Sequence, residues 1–289
     1  MKFAQAYGPG KFGLSFELSP PKTLAGEESL WRHLDELMAF APNLVTCTYG
    51  AGGSTRDKTL EIVAEVRRRH GCSVAAHLTC VGATVDQLRS YLKAAAERGI
   101  ENIVALRGDP PHGETAFQPI AGGLRYANEL VALIRREFPQ FGIAVAGYPE
   151  THQEAPSSQA DLQNLHRKVA AGGEVVITQV FYDNADFFRF RRECLALNIT
   201  APIVPGILPI TNLAQVQRIT SLCKARLPIQ LLERLTAAGD DEAAQFEVGV
   251  EHATAQVQEL LAAGVPGIHF YVLNKSPATV RVLKAVRTK

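Results

Sequence analysis

Residues Asn102 to Pro111 read Asn-Ile-Val-Ala-Leu-Arg-Gly-Asp-Pro-Pro, and that order leaves the chain few architectures to choose from. An apolar run long enough for one buried strand stops at a cation, a glycine, a carboxylate and two prolines. The apolar part belongs in a core, and proline cannot continue a hydrogen-bonded strand. Arg107 and Asp109 are thereby set at a strand's C-terminal end, with Gly108 letting a ligand come close to the backbone. That end is where α/β folds keep their chemistry.

The same grammar recurs along the whole chain. Strands are expected at Phe12 to Leu18, Leu44 to Tyr49, Ser73 to Leu78, Asn102 to Leu106, Ile143 to Ala146, Val175 to Phe181, Ile203 to Leu208 and Gly267 to Leu273. Between them fall helical patterns over Glu27 to Phe40, Thr55 to Arg69, Val85 to Arg98, Leu124 to Glu137, Ala160 to Ala171, Asn184 to Leu197 and from Asn212, with a last helix over Ala278 to Val286. Thr55 reads as an N-cap. Several strands are apolar on both faces, as parallel strands covered on both sides must be. Eight strands each followed by helix favour an α/β fold of the (β/α)8 TIM-barrel type. The long stretch between the seventh and eighth strands holds extra helices, around Ile229 to Leu235 and Glu242 to Ala263. One catalytic domain over residues 1–289 is expected.

Composition narrows the class. A net charge of +1 offers no electrostatic footing for nucleic acid or an anionic membrane, so neither is expected as a partner. The 5 cysteines are odd in number and scattered, which argues against structural disulfides or a Cys-rich zinc site and fits a reducing cytoplasm. No apolar run is long enough for a membrane span and the N-terminus lacks a leader-like segment, so a cytoplasmic protein is expected.

In a barrel the strand ends converge on one mouth. They are Glu17, Thr48-Tyr49, His77, Arg107 to Asp109, Tyr148, Gln179 and Asn274-Lys275. Any one could be a solvated loop residue; seven strands showing polar ends together favour a site. Glu17, flanked by Phe16 and Leu18, is expected to have a raised pKa suited to a general acid, with a structural salt bridge as the alternative. Gly50-Ala51-Gly52-Gly53-Ser54-Thr55 opens a helix and could cradle a phosphate or a flat ring, or serve only as a tight turn. Asp161, Asn164, Arg167 and Lys168 share one side of a helix beside Leu162, Leu165 and Val169. That side is either a solvated face or a sugar and phosphate site. Glu150-x-His152-x-Glu154 has the look of a metal triplet but lacks a supporting shell, so no metal is expected.

Taken together these segments resemble the methylenetetrahydrofolate reductase family. The resemblance rests on Ser15-Phe16-Glu17-Leu18-Ser19-Pro20-Pro21-Lys22, Thr48 through Thr55, His77-Leu78-Thr79-Cys80, Ala105 through Asp109, Gly147-Tyr148-Pro149-Glu150-x-His152 and Asp161 through Lys168. It continues through Ile177-Thr178-Gln179-x-Phe181-Tyr182-Asp183, Pro205 through Pro209 and His269-Phe270-Tyr271-x-Leu273-Asn274, covering about Phe12 to Lys275.

The resemblance implies a barrel that binds FAD at its mouth. NADH or NADPH as co-substrate gives hydride to the flavin, which passes it to 5,10-methylenetetrahydrofolate and yields 5-methyltetrahydrofolate. Such a reaction supplies methyl groups for methionine synthesis and one-carbon metabolism. Glu17 falls at the family's acid and Asp109 at the carboxylate that steadies the cationic iminium. Thr48, Tyr49, Ala51, His77, Arg107, Gly108, Asp109, Tyr126, Ala127, Tyr148, His152 and Ala155 fall at FAD positions. Asp161, Asn164, Arg167 and Lys168 fall where the family holds ribose, adenine and pyrophosphate. Gln179, Leu213, Tyr271, Leu273 and Lys275 fall at the folate site. Leu213 stands where some members carry phenylalanine, and Lys275 where they carry arginine, which bears on folate affinity and donor preference. A homo-oligomer is expected. A pterin-binding methyltransferase barrel and a non-catalytic folate- or flavin-binding subunit remain the competing readings.

Overall fold

Parallel strands separated by helices can hide all their backbone hydrogen bonds only by closing or by being covered, and this chain does both. The computed structural model describes residues 1–49, 56–110 and 117–287. A short helix α1 (Phe3–Ala6) precedes β1 (Gly13–Leu18) and α2 (Leu24–Met38). There follow β2 (Leu44–Cys47), α3 (Arg56–His70), β3 (Ser73–Thr79), α4 (Val85–Glu97), β4 (Asn102–Leu106) and α5 (Ala127–Glu137). Next come β5 (Gly142–Gly147), α6 (Ser158–Ala170), β6 (Val175–Thr178), α7 (Asn184–Ala196), β7 (Ile203–Val204) and β8 (Gly206–Ile207). The chain continues through α8 (Leu213–Cys223), α9 (Ile229–Ala237), α10 (Glu242–Ala262), β9 (Gly267–Tyr271) and α11 (Pro277–Arg287).

All pairings are parallel, in the order β7-β6-β5-β4-β3-β2-β1-β9-β8. The two ends of that order are halves of one strand broken at Pro205. β7 pairs with β6 and β8 with β9, so the sheet closes on itself as a (β/α)8 barrel. The expected continuous strand from Ile203 to Leu208 is thus corrected to two segments. Proline has no N–H to give, but the carbonyl of Pro205 accepts from His269 N at 3.0 Å and carries the pairing across.

Other boundaries shift for local reasons. The second strand ends at Cys47, short of the expected Tyr49. α2 starts at Leu24, earlier than expected, because Thr23 caps it by accepting from Gly26 N at 3.1 Å. α5 starts at Ala127, later than Leu124, since the Glu129 carboxylate accepts from the N–H groups of Arg125 and Tyr126. The expected Thr55 cap and the glycine-rich segment before it lie outside the described residues. Among the described residues no helix is long and apolar enough to cross a membrane.

Strand parity divides the core in two. Leu14, Phe16 and Leu18 of β1 face the helices within the large outer core, as do Val45, Ile103, Val145 and Phe270. Alternate positions, among them Leu44, Ala75, Val104, Ala144, Val175, Ile177 and Val204, fill the barrel interior. Phe3, Ala6 and Tyr7 join that interior cluster, so α1 plugs the barrel floor. The sequence reading missed this helix. Asn102 holds it: the Asn102 Oδ1 accepts from Phe3 N at 2.9 Å, and its Nδ2 donates to Met1 O at 3.0 Å and to Val74 O at 3.2 Å.

Asn102→Ala strands a buried N–H and two carbonyls without their partner. The expected loss is about 1–3 kcal/mol in urea unfolding, with faster amide exchange at Phe3. An unchanged midpoint would show that the floor does not depend on this side chain.

Candidate active site

The C-terminal strand ends enclose a cavity of about 990 Å³. Its wall brings together Glu17, Thr48, Tyr49, His77, Arg107, Gly108, Asp109, Tyr126, Ala127, Tyr148, His152, Ala155, Asp161, Asn164, Arg167, Lys168, Gln179, Tyr271 and Leu273. These come from loops far apart in sequence, gathered because every strand runs the same way. Leu213 and Lys275 are not in the wall. Leu213 begins α8, its N–H held by the Gln245 Oε1 at 2.6 Å, and packs against the apolar cluster of Val180, Leu208 and Ile210. Lys275 is exposed just past a left-handed pair, Leu273 and Asn274. The amide of Asn274 clasps the backbone of Ser19 in both directions, at 2.9 and 2.8 Å, and ties the last strand's loop to the first. Ala51 lies outside the described residues.

Glu17 is the centre of one end. Its Oε2 stands 3.3 Å from His77 Nε2 on β3 and 3.4 Å from His269 Nε2 on β9. The expectation of a raised pKa is overturned. Burial does push the carboxyl up, but His77 and His269 outweigh it and hold the group down to about 2. Phe16 and Leu18, the neighbours that suggested an apolar setting, point away from Glu17 into the outer core. His269 was not singled out from the sequence, although it sits two residues before Tyr271 and so on the same inward face. Tyr271 itself donates from its hydroxyl to Thr178 O at 2.7 Å, and its ring meets His269 edge-on with centroids 5.0 Å apart.

The other end is cationic. The Arg107 guanidinium grips the Glu154 carboxylate in a two-pronged pair, at 2.8 and 2.5 Å, and lies over the Phe117 ring. Gly108 has φ +88, and a Cβ there would stand 2.7 Å from Val81 Cγ1, so only glycine lets this turn run so close to β3's end. On α6, capped by Ser157, Asp161 turns inward and is 8% exposed, and its Oδ2 accepts from His152 N at 2.8 Å. Lys168 is half-buried, donates to Ala146 O at 2.5 Å and lies 5.6 Å from the Tyr148 ring centre. Burial pushes the Lys168 ammonium down to about 8, with Asp161 working against that shift. This side of α6 is therefore a wall of the cavity, with Arg167 and Asn164 linked at its exposed edge by a 2.7 Å hydrogen bond.

The Glu150, His152 and Glu154 triplet is drawn apart: Glu150 accepts from Arg226 N at 2.7 Å, Glu154 pairs with Arg107, and the His152 ring packs edge-on to Tyr148. A cavity of this size with a carboxylate between two imidazoles at one end and cations at the other defines a barrel that handles a large anionic ligand and moves protons.

The comparisons agree with that class. The family model described as methylenetetrahydrofolate reductase matches residues 2–287, and the chain belongs to that family. It is 40% identical over 267 residues to the 5,10-methylenetetrahydrofolate reductase of Escherichia coli K12, covering 92% of this chain and 88% of the relative. It is 38% identical over 292 residues to the Zea mays protein named methylenetetrahydrofolate reductase (NADH) 1, covering 98% of this chain and 49% of the relative. The chain thus spans about half the length of the plant relatives it matches. Among solved structures, an uncharacterized Clostridium thermocellum protein described as binding two copies of 5-methyl-5,6,7,8-tetrahydrofolic acid shares the fold. It has a TM-score of 0.69 at 15% identity, covering 98% of each chain.

The depressed Glu17 value carries a stability consequence with a definite sign. The ordinary value is 4.5 and the folded one about 2, so the stabilisation is fully present above about pH 5 and disappears as pH falls through the folded value. Urea unfolding of the parent and Glu17→Gln between about pH 6 and about pH 3 should show their stability difference changing against the parent on acidification, by on the order of 2–3 kcal/mol in total. A difference independent of pH would place the carboxylate outside the two-histidine cluster.

Proposed function

We propose that this chain is a flavin-dependent reductase, holding FAD and using NADH or NADPH to convert 5,10-methylenetetrahydrofolate to 5-methyltetrahydrofolate. The reading is carried by one observation: a single cavity of about 990 Å³ joins Glu17 and His77, with His269 behind them, to the cations Arg107, Arg167 and Lys168. Membership of the family supports it, as does the nicotinamide donor in the Zea mays relative's name.

The residues suit FAD chemically. The cavity offers flat side chains at Tyr126, Tyr148 and His152, a close backbone approach at Gly108, and positive charge at Arg107, Arg167 and Lys168. The Thr79 hydroxyl lies buried in the wall with no hydrogen-bond partner among the described residues. When bound, FAD supplies the hydride-carrying chemistry between nicotinamide and the one-carbon unit. Thr48, Tyr49, His77 and Arg107 to Asp109 would hold its ring end, with Ala51, Tyr126, Ala127, Tyr148, His152 and Ala155 along its length. Asp161 and Asn164 would take sugar hydroxyls, and Arg167 and Lys168 the pyrophosphate.

Asp109, exposed at the mouth, places a negative charge where a cationic folate species would form. Gln179, Tyr271 and Leu273 shape the folate side, with Leu213 and Lys275, outside the wall, assigned to the cover over the folate and nicotinamide rings and to the substrate's outer end respectively. Glu17 is assigned the delivery of the proton that opens the folate ring at nitrogen. At rest it is a carboxylate pinned by two imidazoles. Burial raises its proton affinity and each imidazole contact lowers it, so substrate that displaces an imidazole raises its affinity for the proton it must take up and pass on.

Purified protein should be yellow and release FAD on denaturation. In stopped-flow measurements on Glu17→Gln, bleaching by NADH or NADPH should proceed at near-parent rate while reoxidation by methylenetetrahydrofolate falls about 10²–10⁴-fold. Equal slowing of both phases would make Glu17 structural, and a colourless protein with methyltransferase activity would favour the competing barrel.

Lys168 gives an independent test of the arm. Its cation is present below about pH 8 and lost above, so FAD affinity, read by quenching of flavin fluorescence, should weaken as pH rises through that value. Lys168→Met should bind weakly throughout and lack this limb. Parent-like affinity in that variant would remove Lys168 from the pyrophosphate site.

A further inference from the structure

Beneath Glu17 a line of hydrogen-bonding groups runs down the barrel interior to its floor. The Tyr7 hydroxyl donates to Ser15 Oγ at 2.5 Å, Ser15 Oγ lies 2.7 Å from His269 Nδ1, and His269 Nε2 faces Glu17 Oε2. Ser15 and His269 are register partners on β1 and β9, so the sheet itself sets their approach. Tyr7, Ser15 and His269 are all buried.

We propose that Tyr7, reaching up from the floor, is a positioning residue that fixes the tautomer of His269 and thereby the hydrogen His269 presents to Glu17.

The line of hydrogen bonds starts at the phenol. Its surroundings are the apolar side chains of the interior cluster, and an O–H left unpaired there is costly, so Tyr7 donates to its partner Ser15. Ser15, already accepting, has its own proton to give, and His269 Nδ1 stands in hydrogen-bond range to take it. A neutral imidazole accepting at Nδ1 carries its hydrogen at Nε2, and that hydrogen points to Glu17. Glu17 thus meets a fixed N–H on this side. Also facing this pair are the His77 imidazole from β3 and the Tyr271 ring.

The space for the phenol is built for it. Gly13 and Gly267 face each other in the β1–β9 register. A Cβ at Gly267 would overlap Gly13 O as well as stand 2.6 Å from Tyr7 Cε1, and one at Gly13 would overlap the same ring atom. Two adjacent strands give up their side chains at one level so that a ring can pass and set its hydroxyl beneath Ser15.

The effect on turnover rests on the reading of Glu17 as the proton donor; the effect on His269 does not. Long-range proton–nitrogen NMR spectra of protein labelled at histidine nitrogens report which ring nitrogen bears hydrogen. The parent should show His269, assigned by its absence in His269→Asn, protonated at Nε2 and bare at Nδ1. Tyr7→Phe keeps the ring and removes the hydroxyl, and should turn His269 into a mixture of tautomers or an Nδ1–H form while other histidine signals stay in place. Ser15→Ala, which removes the middle hydroxyl and leaves Tyr7, should do the same. Loss of one neutral hydrogen bond should slow folate-dependent reoxidation in Tyr7→Phe roughly 3- to 10-fold, with nicotinamide-dependent bleaching unchanged. A parent His269 protonated at Nδ1, or an unaltered His269 in both variants, would overturn the proposal. A changed tautomer with unchanged reoxidation would uphold Tyr7's hold on the ring and count instead against Glu17 as donor.

Discussion

Closure of a parallel sheet around one interior is the constraint on which everything else here depends. Once the strands form a ring, every second side chain must fit inside it, and strand ends of like polarity meet at one rim. Most of the lumen is therefore apolar, and its longest polar run is a chain of groups that satisfy one another. Apolar residues such as Val104, Ala144 and Ile177 fill most of the lumen, and the polar column of Tyr7, Ser15, His269 and Glu17 is confined to the β1–β9 side. The site is an outgrowth of that column at the level where the barrel opens.

Charge is managed by the same geometry. Glu17 is nearly enclosed, and two imidazoles reached from β3 and β9 keep it ionised. Lys168 is partly enclosed and leans on a carbonyl and an aromatic face, with a carboxylate on its own helix as counterweight. One end of the cavity therefore holds a carboxylate between two imidazoles, and the other an ammonium beside a carboxylate. A ligand with an anionic middle and a protonatable ring has one orientation in which both ends are satisfied.

Much of this was legible in the sequence because barrel strands and helices announce themselves by local period. The strand order, the polar strand ends and the helix carrying Asp161 to Lys168 follow from patterns a few residues long. What was not legible depends on partners distant in sequence. Phe16 and Leu18 suggested an apolar home for Glu17, yet in a strand the immediate neighbours point to the other face, and the true neighbours lie 60 and 252 residues away. The break at Pro205 is likewise set by which strand each half finds beside it. Helix α1 is too short to show a period at all; only Asn102 and two facing glycines, read in three dimensions, reveal why four residues become a floor.

The seam between β1 and β9 joins segments 254 residues apart, and Ser15 bonds His269 across it. Strand pairing of such separation must await nearly the whole chain and is slow to form. During synthesis the first strand therefore emerges before either of Glu17's imidazoles, and the acid acquires its finished environment only when the last strand docks. The proton site thus depends on the seam, which makes its appearance a reporter of barrel closure.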